Sequence, residues 1–67
     1  MKTYDRLVAR VYGRGTEPLD VITFENCTLC DVFEHFSSTY GGSSEWGERL
    51  RCDVVEGGGD YVANYEI

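Results

Sequence analysis

Four residues of this chain are of types that ligate metals or carry out thiol chemistry. Cys27 and Cys30 form a C-x-x-C pair within ENCTLCDVFEH, His35 closes that stretch, and Cys52 lies in a later apolar run. Zinc accepts all of these ligands, but structural zinc usually draws on two close pairs, and only one is present. On a helix Cys30 and His35 would diverge by roughly 140° around the axis. Cys52 shares a strand face with Leu50 and Val54, where a free cysteine serves as a small buried hydrophobe. A C-x-x-C at a helix start also suits thiol redox work, because the positive helix end favours the thiolate. Against this, the chain lacks the length and the βαβ pattern of a thioredoxin-type domain, and its only proline, Pro18, precedes the motif. The motif reads most simply as a capped helix start with incidental thiols, and a zinc or thiol-redox protein acting through Cys27 and Cys30 is the alternative.

No other stretch carries catalytic spacing. His35 falls on the polar side of its helix between Glu34 and Phe36, with no serine or acid placed to complete a nucleophile and base. Gly57-Gly58-Gly59 is followed by strand-like residues, whereas a phosphate loop needs a helix and a lysine. The expectation is a protein that is not an enzyme and uses no metal or cofactor.

The elements that must position these side chains follow from periodicity. In KTYDRLVARVYGRG, Leu7, Ala9 and Val11 alternate with Arg6, Val8, Arg10 and Tyr12, the mark of a strand with one buried face. RGTEP is a turn through Gly15 and Pro18, and LDVITFE, rich in branched and aromatic residues, is a second strand antiparallel to the first. Thr28 and Asp31 are spaced for a reciprocal N-terminal cap. Beyond them Leu29, Val32, Phe33, Phe36 and Tyr40 make one apolar stripe, with Phe33 and Phe36 expected in the core, and Gly41-Gly42 is the stop. ERLRCDVVE, burying Leu50, Cys52 and Val54, is a third strand; Gly57-Gly58-Gly59-Asp60 is a hairpin, and YVANYEI a fourth strand. The fold class is α+β, ββαββ, a single helix packed on a small antiparallel sheet, in one domain over residues 1–67.

A chain of 67 residues hides only about 60% of its unfolded surface, so its single core supplies about 3 to 5 kcal/mol. No apolar run approaches the roughly 20 residues of a bilayer span, no secretory signal is visible, and three cysteines make a poor disulfide framework. The expected setting is the cytoplasm, without membrane contact. The net charge of −6 is unevenly spread: residues 1–14 carry +3, whereas residues 15–48 hold seven acids and no Lys or Arg. Such an asymmetry steers a partner of opposite charge.

Two surfaces result. On the even face of the first strand Lys2, Tyr4, Arg6, Val8, Arg10, Tyr12 and Arg14 interleave bases with aromatics, as single-strand nucleic-acid platforms do. A solvated sheet face paired with neighbouring carboxylates is the simpler reading, since the pI near 4.5 is far from that of a basic nucleic-acid domain. The second is the acidic band from Glu17 to Glu48, either a solubilising surface or carboxylates that occupy a cationic groove built for nucleic acid.

A small acidic chain with strands around a short acid-bearing helix, TLCDVFEHFSSTYGG, resembles in type the phage-encoded inhibitors that disarm host machinery, including anti-CRISPR proteins and inhibitors of host RNA polymerase. No motif carries the resemblance, so no functional residue is transferred by it. It implies a stoichiometric binder, acting in the host cytoplasm, that blocks a nucleic-acid-handling host protein through its cationic surface. The residues expected to do so are Glu25, Asp31, Glu34, Glu45 and Glu48, with Tyr40 and Trp46 as aromatic anchors. Direct nucleic-acid binding by the first strand is the alternative.

Overall fold

The computed structural model describes residues 2–40 and 50–66. The expected Gly41-Gly42 stop and the candidates Glu45, Trp46 and Glu48 lie outside the described residues. Strand β1 runs Tyr4–Tyr12, β2 Asp20–Cys27, helix α1 Leu29–Tyr40, β3 Arg51–Glu56 and β4 Tyr61–Glu66. The sheet is antiparallel throughout, in the order β2-β1-β3-β4. One helix thus packs on four strands, the expected ββαββ arrangement. The strand that carries the most regular alternation lies inside the sheet, with Leu7 between Phe24 of β2 and Glu56 of β3, and Val11 between Asp20 and Cys52.

Alternation decides which side chains reach the helix. Leu7, Ala9 and Val11 of β1 join Cys52 and Val54 of β3, Leu50, and Val32, Phe36 and Tyr40 of α1 in the core. Cys27 also reaches it, although alternation from Phe24 would turn it to the other face, and its register partner Tyr4 packs against the same core. Asn26 resolves this by adopting φ 48°, a left-handed conformation that asparagine tolerates better than most residues. The β3–β4 hairpin closes through Glu56 N–H donating to Asp60 C=O at 2.8 Å and Gly59 N–H donating to Glu56 C=O at 2.8 Å. Gly59 sits at φ 98°, where a side chain would be strained.

The helix starts as its sequence dictates. The Asp31 carboxylate accepts from Thr28 N–H at 2.8 Å, and Thr28 Oγ1 accepts from Asp31 N–H at 3.3 Å, satisfying two of the amides that a helix start leaves unpaired. Its apolar stripe is narrower than expected. Val32, Phe36 and Tyr40 are buried, but Phe33 is 44% exposed, a correction to its expected place in the core. At about 100° per residue, Phe33 lies roughly 60° off the line through Val32, Phe36 and Tyr40. It reaches the flank of the helix, where its ring meets Tyr65 of β4 at 4.9 Å between centroids. His35 is exposed on the opposite flank, its ring edge-on to Phe24 of β2 at 5.5 Å.

Candidate functional site

The thiols do not form a unit. Cys27 is buried, Cys30 is exposed and Cys52 is buried. Burial pushes the Cys27 thiol up, and the neighbouring Asp31 charge adds to it, the reverse of the thiolate stabilisation that redox cysteines need. Burial pushes the Cys52 thiol up to about 11. Among the described residues no three His, Cys, Asp or Glu side chains are grouped to hold a metal ion. A concavity among the described residues, lined by Tyr4, Asp5, Arg6, Glu56, Gly57 and Gly58, has a volume of about 240 Å³, below the about 300–1,000 Å³ of small-molecule sites.

The sheet face away from α1 carries the basic residues of β1, and carboxylates meet them there. Arg6 lies 3.8 Å from Glu25 and Arg51 of β3 3.4 Å from Asp53; Lys2, ahead of the strand, lies 4.0 Å from Glu56. Arg10 has Asp53 as its cross-strand partner. The aromatic rings are covered as well: Lys2 Nζ sits 4.8 Å above the Tyr4 ring and Arg51 Cζ 4.9 Å above that of Tyr12. Exposed pairs of this kind contribute little stability, about 0 to 1 kcal/mol each. Their consequence is electrostatic, because local carboxylates offset the positive potential of the first strand, and Arg51 of β3 lies over a face of the Tyr12 ring on which a base would stack.

The same geometry divides the acidic band. Phe24 packs toward the helix, so Glu25, one residue on, points to the opposite sheet face and meets Arg6. Asp20 lies at the start of β2, where its Oδ2 accepts from the Tyr40 hydroxyl at 3.1 Å. Tyr40, expected as an anchor for a partner, is only 7% exposed; its ring belongs to the core, and burial followed by the bond to Asp20 raises its hydroxyl pKa. Asp31 is committed to the helix cap. Glu34 is exposed on α1 and makes no ion pair among the described residues, and α1 has no basic residue in its last turn. Glu25 and Glu34 therefore do not share a surface, while Asp31 and Glu34 do share the outer side of the helix. Phe33, assigned to the core by its spacing, is the aromatic that this helix presents to solvent. No sequence signal separated it, since at about 100° per residue the buried Tyr40 lies only about 20° from Phe33 around the helix.

No described helix is long and apolar enough to cross a membrane. A search among protein families, curated proteins and solved structures finds no match for the chain.

Proposed function

We propose that the protein is a small noncatalytic interaction module that binds one protein partner through the outer face of α1, with Asp31 and Glu34 meeting a cationic surface. One observation carries this reading. The bases of the open sheet face have carboxylates beside or opposite them, whereas Glu34 on the helix has no cation among the described residues. In a chain of net charge −6, Glu34 with Asp31 thus leaves negative potential on the helix side that can act on a partner. The partner chemistry that fits is a nucleic-acid-handling protein in the cytoplasm, whose cationic groove the carboxylates occupy in place of phosphate. This is the mode of action implied by the resemblance to phage-encoded inhibitors.

The test is capture from a bacterial lysate on the immobilised chain, followed by reconstitution with the purified partner. The Glu34→Lys, Glu48→Lys double variant should fold and lose the partner, Arg10→Glu, Arg14→Glu should keep it, and added duplex DNA should compete with the wild type. The association rate should fall steeply with salt. If the arginine variant loses the partner and the glutamate variant keeps it, or if the wild type binds labelled single-stranded nucleic acid at physiological salt, the site is the sheet face and the proposal fails.

A further inference from the structure

The order β2-β1-β3-β4 leaves two sheet edges among the described residues, and they are unlike. β4 has six residues, and its register with β3 shifts between Val54 and Val55; such irregularities and short lengths are devices that spoil edge pairing. β2 has eight residues and keeps one register with β1 from Arg6–Glu25 to Val11–Asp20, its irregularity, Asn26 at φ 48°, falling beyond Glu25 near the strand's end. It contains no lysine and no proline, and its two charged residues are Asp20 and Glu25, the second of them near Arg6. Two large apolar side chains stand exposed at its start, Leu19 and Val21, each 52% accessible.

The hydrogen-bond phase shows which backbone groups that edge offers. Gly57 N–H donates to Arg6 C=O at 3.2 Å, so Arg6 faces β3, and Leu19 N–H donates to Val11 C=O at 2.6 Å, so Val11 faces β2. Along β1 the odd residues thus bond β2, and their register partners Phe24, Ile22 and Asp20 face inward. The backbone groups of Val21, Thr23 and Glu25 then point off the sheet. One of these donors is already occupied, since Asp20 Oδ1 accepts from Val21 N–H at 3.0 Å.

We infer that β2 pairs antiparallel with β2 of a second copy about a two-fold axis at Thr23, joining two four-stranded sheets into one. The argument for a second copy is self-complementarity. With Thr23 opposite Thr23 of the other copy, each Glu25 faces a Val21 and each Ile22 a Phe24, so no like charges are opposed. Glu25 enters with its charge met by Arg6 at 3.8 Å. Reciprocal bonds between the two Thr23 backbones, and from each Glu25 N–H to the Val21 carbonyl opposite, use the outward groups that remain available. The axis is perpendicular to the sheet, which places both helices on one side and leaves the two open sheet faces continuous on the other. Nothing in this arrangement draws on the acidic helix face, so it stands or falls separately from partner binding there.

Sedimentation velocity across the micromolar to millimolar range tests it, with the full chain. The wild type should show a concentration-dependent dimer. Thr23→Pro removes an outward N–H without touching the β1 ladder, a position where a sheet tolerates proline, and should be monomeric with the wild-type far-UV spectrum. Thr23→Lys places two ammonium groups across the axis and should also be monomeric; it decides the matter if the proline variant fails to fold. A wild type that stays monomeric throughout, including one that takes up only an unrelated extended peptide at this edge, overturns the inference. So does a folded Thr23→Lys protein that dimerises like the wild type.

Discussion

Truncating the two helix phenylalanines separately tests the packing of α1 more sharply than any other pair of changes. Phe36 is 2% exposed and lies in the buried cluster with Val32 and Tyr40. Removing such a ring costs about 3 to 5 kcal/mol, transfer and cavity together. Phe33 is 44% exposed. Full burial of a phenylalanine contributes about 1.5 to 3 kcal/mol, so a little over half of that is at stake. Its tilted contact with Tyr65 at 4.9 Å adds about 0.5 to 1.5 kcal/mol. The cost for Phe33→Ala is then about 2 kcal/mol, near half that of Phe36→Ala. A single core of this size supplies about 3 to 5 kcal/mol in total, so Phe36→Ala should leave much of the population unfolded in water. Phe33→Ala should give a complete cooperative transition at a lower urea midpoint and an unchanged slope. Urea titration followed by the far-UV signal measures both. The reasoning is refuted if Phe36→Ala lowers the midpoint no more than Phe33→Ala does, for then the helix is rotated about its axis from the position described.

Two further outcomes follow from the thiols and buried hydroxyls. A thiol reagent should titrate one cysteine rapidly in the native protein, Cys30, and three after denaturation, while excess chelator leaves the melting temperature unchanged; a large drop with zinc released would contradict the diverging placement of Cys27 and Cys30. Burial raises the Cys52 thiol from 9.0 to about 11, and also raises Cys27, Tyr40 and Tyr65. The folded state therefore holds these protons more tightly than the unfolded chain, so the stability they contribute is full below the Cys52 unfolded value of 9.0 and falls as pH rises through about 11. The urea midpoint should decline across that window, more gently in Cys52→Val, and a midpoint independent of pH there would be inconsistent with a buried Cys52.

Local patterns in the sequence were sufficient for what depends on neighbours along the chain. Period-two alternation in β1 marked Leu7, Ala9 and Val11 as one face, the Thr28 and Asp31 spacing marked the helix start, and the run of glycines before Asp60 marked a hairpin. Each is a pattern among residues a few positions apart, legible without knowing what packs against the element. What the tertiary structure decided is what depends on pairing between distant segments. That β1 lies inside the sheet follows from β3 docking on its free side, and no pattern within β1 carries that choice. The division of the acidic band follows from it, since Arg6 of β1 draws Glu25 to the open face while Glu34 stays on the helix. Phe33 and Phe36 differ by only about 60° around the axis, a difference with no consequence until the helix settles against β1, β3 and β4. Asn26 turned Cys27 inward by a single backbone rotation, and the Tyr40 hydroxyl found its acceptor in Asp20, twenty residues away. Spacing along a chain specifies direction within an element, whereas burial is set by what another element places opposite it.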